Sequence, residues 1–201
     1  PSSYTKGGGI CIDGGTNTLS NCSITDNKLS STSGASVSVE GGGICINSGT
    51  NILKNCNIAN NATSYGSAGG IYTNSGTNTL ENCNITNNTS SYGGGFYCWA
   101  ARNTFSNCNI TGNTANSESS AYGGGAYISS YGKCTFINTV NITGNTSSVS
   151  SANDLYLYTE DGLALSDAAG NKLSTNSKIG VVTKTAPTSG TNIKFATGAS
   201  E

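Results

Sequence analysis

A unit of about twenty residues recurs five times in this 201-residue chain and limits its possible folds more than any other feature. The copies are GGGICIDGGTNTLSNCSITDN, GGGICINSGTNILKNCNIANN, GGIYTNSGTNTLENCNITNN, GGGFYCWAARNTFSNCNITGN and GGGAYISSYGKCTFINTVNITGN. In the first four, the last glycine of the run and the cysteine of the Asn-Cys pair are always 13 residues apart, whereas the step between copies is 34, 27 and 25 residues. A constant unit with connectors of variable length predicts a solenoid whose insertions lie along one edge.

Apolar residues alternate within each copy, as in Ile10 and Ile12 or Cys22 and Ile24. A period of two residues indicates short β-strands, and the copies contain no helical period. Short strands separated by Gly, Ser and Asn predict an all-β parallel β-helix of about five repeat coils, with about three strands per coil. The glycine runs are expected at sharp bends, where permissive dihedral angles are needed, and not around a phosphate.

Equivalent residues of successive coils fall into columns when the copies are stacked. Three columns are apolar and predicted to face inward: Ile10, Ile44, Ile71, Phe96 and Ala126; Leu19, Ile52 or Leu53, Leu80, Phe105 and Phe136; and Ile24, Ile58, Ile85, Ile110 and Ile142. Two further columns are predicted to be structural ladders: Cys22, Cys56, Cys83 and Cys108, and Asn27, Asn61, Asn88, Asn113 and Asn145. Buried thiols act as small apolar fillers. Asparagines one coil apart, about 4.8 Å, can hydrogen-bond to each other and satisfy backbone groups at a turn.

The repeats are predicted to occupy residues 1–152. Residues 153–201 hold no copy but alternate like strands at Leu155 and Leu157, at Leu163 and Leu165, and at Ile193 and Phe195. Because a solenoid exposes its core at each end, we expect this segment to be a C-terminal β cap that continues the same domain.

The repeat resembles the polymorphic outer-membrane-protein repeat of bacterial surface proteins and autotransporter passengers. The resemblance is carried by the glycine run followed by a hydrophobic residue and Tyr, and by the later pattern [LF]-x-N-C-x-I-T-x-N, over roughly residues 7 to 147. It implies a right-handed β-helix of the pectin-lyase-like type in an exported, surface-displayed protein, often an adhesin. Many unrelated activities occur on this architecture, so the resemblance implies a fold more strongly than a function.

Composition excludes several classes of partner. Charged residues make up 9% of the chain, the formal net charge is −1, and histidine is absent. There is no basic surface for nucleic acid, no cationic face for a membrane, and no apolar run near the roughly 18 to 20 residues of a membrane span. The chain also lacks methionine and a signal-peptide pattern, so we expect a piece of a longer protein whose targeting or anchoring segment lies outside it.

Neither a metal site nor an active site is predicted. Without histidine or a C-x-x-C pair, a zinc site is not expected, and no other cofactor is indicated. Most of the eight cysteines are expected to be free thiols, although Cys11 and Cys45 lie on adjacent coils where a cross-link is conceivable. The acidic residues are scattered and do not recur at matching positions of neighbouring coils, as paired acid–base chemistry requires, so the chain is predicted not to be an enzyme.

The candidate binding residues are Tyr72, Tyr97, Trp99, Arg102 and Tyr127. The three tyrosines share an outward column, and Trp99 and Arg102 follow Tyr97 closely in the chain. Exposed aromatic rings beside a guanidinium are typical of a sugar-binding face or a protein hot spot. The competing interpretation is a stacked tyrosine ladder that stiffens the sheet. The variable connectors form a second candidate edge.

Two functions therefore remain open, with a third as a minor alternative. The first is a non-enzymatic stalk or adhesin on a bacterial cell surface, monomeric, with a host glycan or surface protein as its partner. The second is a carbohydrate-binding or carbohydrate-processing β-helix that uses the Tyr/Trp/Arg face. Ice binding requires a regular Thr-x-Thr array, which Ile52 and Arg102 interrupt.

Overall fold

The computed structural model describes residues 4–30, 38–117, 121–148, 153–184 and 196–197. Its first strands are β1 (Tyr4–Lys6), β2 (Ile10–Ile12), β3 (Thr16–Ser20), β4 (Ser23–Thr25), β5 (Lys28–Ser30), β6 (Ser38–Glu40), β7 (Ile44–Ile46), β8 (Thr50–Lys54), β9 (Asn57–Ala59), β10 (Ala62–Ser64), β11 (Ile71–Thr73), β12 (Thr77–Glu81) and β13 (Asn84–Thr86). They are followed by β14 (Thr89–Ser90), β15 (Phe96–Cys98), β16 (Arg102–Thr111), β17 (Thr114–Ala115), β18 (Ala126–Ile128), β19 (Lys133–Thr143), β20 (Thr146–Ser147), β21 (Leu155–Leu157), β22 (Leu163–Ala164), β23 (Lys178–Ile179), β24 (Val181–Thr183) and β25 (Ala196–Thr197). A 3-10 helix spans Glu160–Gly162.

These strands stack coil on coil into parallel sheets. One sheet has the order β2-β7-β11-β15-β18-β21-β24, and a second has the order β5-β10-β14-β17-β20. The third follows β3-β8-β12-β16-β19-β22-β25 with β4, β9, β13 and β23 alongside, and β1 pairs with β6. Because each repeat coil contributes strands to all three main sheets, the repeats form a parallel β-solenoid of about five turns, as predicted from their periodicity.

The three predicted apolar columns are in register and line the interior. Ile44, Ile71 and Phe96 pair in one column, and Ile58, Ile85 and Ile110 in another. In the column that the sequence left open, Leu53 faces inward and is fully buried, whereas Ile52 is 38% exposed. The core is therefore a stack of identical or similar side chains, each in contact with its equivalents one coil away.

The predicted asparagine ladder is present and runs along the whole repeat region. In each step the side-chain amide donates to the Oδ1 of the next asparagine at 2.9–3.0 Å, in the order Asn27, Asn61, Asn88, Asn113 and Asn145. The same Oδ1 atoms accept the backbone N–H of the preceding asparagine, and the amides also donate to backbone carbonyls such as that of Ile58. Asp154 ends the ladder by accepting from Asn145 at 2.9 Å. The ladder thus satisfies backbone hydrogen-bonding groups at the turn of each repeat coil.

A second asparagine ladder was not predicted. Asn51, Asn78 and Asn103 are buried at the second position of their strands, between outward residues that are mostly threonines, and Asn17 donates into the same chain of bonds. At its end, Asn103 donates to the Thr73 hydroxyl at 3.2 Å. The Thr-Asn-Thr motif was considered only for its threonines, although alternation along a strand places its asparagine on the inner face.

Residues after the repeats continue the solenoid. Strand β21 pairs with β18, β24 with β21, and β22 and β23 both pair with β19, all in parallel. The predicted alternation at Ile193 and Phe195 lies outside the described residues, and the boundary at residue 152 stays a prediction. The fifth copy is two residues longer than the first, and one of the two forms a bulge, where Ile137 to Val140 faces Ser106 to Cys108. No described helix has the length and apolar character needed to cross a membrane.

Replacing Asn88 by alanine is expected to lower the free energy of unfolding by roughly 2–4 kcal/mol, because it leaves the Asn61 N–H and the Ile58 carbonyl unsatisfied inside the protein. The exposed Asn84, whose Oδ1 accepts the Asn109 amide, is the matched control, and Asn84→Ala should cost less than about 1 kcal/mol. Urea denaturation measures both. Equal costs would contradict a stabilising role specific to the buried ladder.

Adjacent residues of β8 give a second test. Leu53→Ala removes a fully buried side chain and should cost roughly 2–5 kcal/mol, whereas Ile52→Ala on the opposite face should cost less than about 1 kcal/mol. Thermal and urea unfolding of the two variants measure the difference. The reverse order would mean that the strand register is shifted by one residue.

Candidate functional site

Tyrosines stack along the outer face of the β2-β7-β11-β15-β18-β21-β24 sheet. The ring centroids of Tyr72 and Tyr97 are 5.5 Å apart, those of Tyr97 and Tyr127 are 4.7 Å apart, and those of Tyr127 and Tyr156 are 5.2 Å apart. All three pairs are close to parallel, with interplanar angles of 4° to 22°. These residues therefore form a stacked tyrosine ladder, the competing interpretation of the sequence, and Tyr156 extends the ladder beyond the repeats.

A second layer covers this ladder. The residues that precede the glycine runs form a separate column. In this column Lys6 pairs with Glu40, and single β-bridges continue the pairing to Ser67, Tyr92 and Tyr122. Ala68 also packs here, beside Cys45 and two ladder tyrosines. As a result Tyr72 and Tyr97 are only 5% and 8% exposed, and the expectation of exposed rings at these two positions is wrong. Tyr127 is half-buried.

The covering column has a gap that opens a pocket. Tyr92 and Tyr122 are large, and Tyr122 packs against Tyr156 with ring centroids 4.7 Å apart. Ser67, between Glu40 and Tyr92 in this column, is small and lines the gap. The result is a pocket of about 400 Å³, lined by Lys6, Glu40, Ser67, Tyr72, Asn74, Tyr97 and Trp99. Its volume lies within the range of small-molecule sites.

An ion pair forms the polar wall of this aromatic pocket. The Lys6 Nζ lies 3.5 Å from Glu40 Oε2 and donates to Asn47 Oδ1 at 2.8 Å. Burial raises the pKa of Tyr72, and the nearby Glu40 carboxylate raises it further. Burial likewise raises the pKa of Tyr97 and Tyr127. The ladder phenols therefore stay protonated as hydrogen-bonding groups over the whole physiological range.

Trp99 is the exposed aromatic surface at the pocket. Its side chain is 43% exposed, and its ring lies 6.0 Å from that of Tyr131, which is 67% exposed. Two of the five predicted binding residues do not line this pocket. Tyr127 lies farther along the ladder, and Arg102 starts β16 in the neighbouring sheet, in register with Thr77. Arg102 therefore belongs to a different sheet from Tyr97 and Trp99, because the chain turns at Ala101.

Sequence reasoning missed four of the lining residues, Lys6, Glu40, Ser67 and Asn74. The first three each precede a glycine run or, in the third copy, the Ala68 that stands where other copies have glycine. Ala68 has φ +58°, matching +69° at Gly41 and +58° at Gly93. Counting back one residue from this position in every copy would have revealed the column. It was passed over because these residues share no chemistry.

The cysteines have the predicted structural role. All eight are free thiols, and Cys56, Cys83 and Cys108 are buried in the core. Their Sγ atoms lie 3.3–3.4 Å from backbone carbonyls of their own and the preceding coil. Cys22, in the first coil, is half-buried. The described residues contain no group of three or more His, Cys, Asp or Glu that could hold a metal ion.

The buried ladder predicts a loss of stability at alkaline pH. Tyrosines in the unfolded chain ionise near pH 10, whereas those of the ladder have raised pKa values, so unfolding releases protons above that pH and stability falls as pH rises. Tyr97→Phe keeps the stacked ring and removes one ionisable phenol, so its stability should fall less steeply above about pH 10. Urea midpoints from pH 8 to 11 measure this. Parallel curves for the two proteins would contradict it.

Comparison with known proteins agrees with this architecture. The family model described as "Right handed beta helix region" matches residues 2–140. No curated protein and no solved structure matches the chain. The matched segment covers more than half of the 201 residues, with the first four repeat copies in full and most of the fifth. With its parallel coils and its apolar and asparagine columns, the chain belongs to the right-handed β-helix family.

Proposed function

We propose that this chain is a non-enzymatic part of a bacterial cell-surface protein, a rigid stalk that presents the aromatic pocket to ligands on host or community surfaces. The observation that carries the proposal is the pocket itself, at which Trp99 is exposed while Tyr72 and Tyr97 are fixed beneath it. A glycan is the ligand class that we favour.

Stacked ladders support the stalk role. Two buried asparagine ladders, a tyrosine ladder and three apolar columns run in the same direction, so each coil is held to its neighbours on several faces at once. Such a solenoid is stiff and extends a binding surface away from its attachment point. Localisation at the cell surface, a monomeric state and the absence of nucleic-acid partners are parts of this proposal.

The chemistry of the pocket lining supports a glycan. The exposed Trp99 ring offers an apolar face to the C–H groups of a sugar, and Ser67, Asn74 and the tyrosine hydroxyls offer donors and acceptors for its hydroxyl groups. The Lys6–Glu40 pair adds charged groups at the same opening. A buried aromatic floor surrounded by polar groups is also the usual arrangement of a protein hot spot, so a surface protein is the second possible ligand.

The alternative is a carbohydrate-processing enzyme that uses this pocket. Glu40 is the single carboxylate among the described lining residues, and it faces Lys6. Glycoside hydrolysis by the usual route needs two carboxylates on opposite sides of the bond that is cleaved. This lining therefore favours binding over cleavage. Ice binding remains a minor alternative, because Ile52 and Arg102 stand in register among the outward threonines.

A glycan array with the isolated chain tests the proposal. Trp99→Ala should weaken glycan binding roughly tenfold or more, because it removes the exposed ring of the pocket. Arg102→Ala is the matched control, since Arg102 is exposed and does not line the pocket, and its affinity should equal that of the wild type. Trp99 is the only tryptophan of the chain, so ligand entry should also change the tryptophan fluorescence.

The results of the array distinguish between positions of the site and between classes of ligand. Loss of affinity in Arg102→Ala with retention in Trp99→Ala would move the site to the neighbouring sheet. No binding to any glycan would overturn the glycan proposal and leave protein adhesion or a spacer without ligand.

A further inference from the structure

A lysine, an asparagine and a glutamate meet beside the aromatic pocket, where the first coil lies on the second. Lys6 ends β1 and is in register with Glu40, the last residue of β6, whereas Asn47 follows β7. The Lys6 Nζ donates to the Asn47 Oδ1 at 2.8 Å and lies 3.5 Å from the Glu40 Oε2. One amine therefore contacts both a carboxamide and a carboxyl group.

This ion pair is more enclosed than the two others among the described residues. The side chains of Lys6 and Glu40 are 28% and 9% exposed. The acidic partners of Lys54 and Lys133, in contrast, are 38% and 76% exposed. Exposed ion pairs form and break readily in water. Enclosure instead keeps the Lys6 amine beside the acid and the carboxamide, as a reaction between bound groups requires.

The carboxamide of Asn47 is held at both of its ends. Its Oδ1 also accepts from the Cys45 thiol at 3.7 Å, and burial raises the pKa of this thiol, which therefore stays protonated as a donor. Donors at a carbonyl oxygen stabilise the negative charge that develops there when a nucleophile adds to the carbon. The Asn47 Nδ2 donates to Asp13, which is exposed, so the nitrogen end of the carboxamide faces solvent.

The distances allow the lysine to reach the carbonyl carbon. Because a C=O bond is about 1.2 Å long, the Asn47 Cγ lies no more than about 4.0 Å from the Lys6 Nζ. Reacting atoms in productive complexes are about 3–3.5 Å apart, so a small rotation within the lysine side chain brings Nζ into position.

We propose that Lys6 and Asn47 join in an intramolecular isopeptide bond, with Glu40 as the proton acceptor. A lysine amine attacks a carbonyl carbon only in its neutral form, and a carboxylate in contact with it can take up the proton. The Glu40 carboxyl group is the one that lies at this distance from Nζ among the described ion pairs of Lys6.

The reaction begins with a proton transfer within the ion pair, which gives a neutral Lys6 amine and a neutral Glu40 acid. The Nζ lone pair attacks the Asn47 Cγ and forms the Nζ–Cγ bond, and the Cγ–Nδ2 bond then breaks with loss of ammonia. Of the three protons of the Lys6 ammonium group, one stays on the new amide nitrogen, one leaves with the ammonia and one remains on Glu40. The exchange of one amide for another consumes no oxidant and no other reactant.

The bond fastens the end of the solenoid that is packed least tightly. Ile10, Leu19 and Cys22 of the first coil are only partly buried, whereas their equivalents in the second coil are buried completely or almost completely. A cross-link between residues 41 positions apart restricts the unfolded chain and holds the first coil on the second. It removes the positive charge of Lys6 from the opening of the aromatic pocket, but it is independent of the ligand proposed for that pocket.

Mass spectrometry of the intact, denatured chain tests the proposal. The wild type should be lighter by one ammonia molecule than the mass calculated from its sequence. Lys6→Arg, Asn47→Ala and Glu40→Gln should each have the full calculated mass, because each lacks the nucleophile, the carboxamide or the proton acceptor. Lys54→Arg is the matched control, since Lys54 is also paired with a glutamate, and it should retain the loss.

The position of the bond must be located as well, because an asparagine can also lose ammonia by cyclising onto its own backbone. Trypsin should leave the chain uncleaved after Lys6 and release a branched peptide in which Lys6 is joined to the segment containing Asn47. The full calculated mass for the wild type would overturn the proposal. A loss of ammonia that persists in Lys6→Arg, or that is found in an unbranched peptide, would also overturn it.

Thermal unfolding measures what the bond contributes to stability. Lys6→Arg keeps a positive charge beside Glu40 but removes the amine that forms the bond, so it should melt about 5 °C or more below the wild type. Equal melting temperatures of the two proteins would contradict the role of the bond in fastening the first coil.

Discussion

In-register stacking of like residues is the constraint on which the rest of this structure depends. The asparagine ladder shows why it is strict. Each Oδ1 accepts both the backbone N–H and the side-chain amide of its equivalent one coil away, so a displaced asparagine leaves two coils with unsatisfied turns. Because buried polar groups must be paired, a shift of register by one residue is unfavourable along the whole solenoid. The apolar columns and the tyrosine ladder follow from the same alignment.

The inner faces of the coils could be predicted from the sequence because they repeat. The isoleucine column through Ile85, the cysteines and the Asn27 to Asn145 ladder all recur at a fixed spacing, because identical side chains stack favourably on one another. The choice between Ile52 and Leu53 needed the structure, because both are apolar and neighbours in a strand. Asn78 was missed because its motif was judged by the threonines on either side.

The outer face could not be predicted in the same way. Alternation correctly placed Tyr72 and Tyr97 on the outer side of their sheet, but it carries no information on what covers that side. The covering residues, such as Glu40 and Ser67, come from connectors of different length and share no chemistry. The position of Arg102 depends on where the chain turns after Trp99, and residues close in sequence then belong to different sheets. Predictions were thus accurate where neighbours repeat and failed where irregular connectors fold back.

The aromatic pocket lies where the repeat is interrupted, beside the connector between the second and third coils. This connector contains Tyr65 and Ala68, which among the described residues are the two in the left-handed region that are neither glycine nor Asn or Asp. Between them, Ser67 opens the covering column. Ladders on adjoining faces hold the flanking coils and offset the strain of this turn. A regular solenoid offers continuous stacks without cavities, so a departure from the repeat is what gives it a place to bind. The same scaffold can therefore present different ligand sites through changes in one connector, without change to its core.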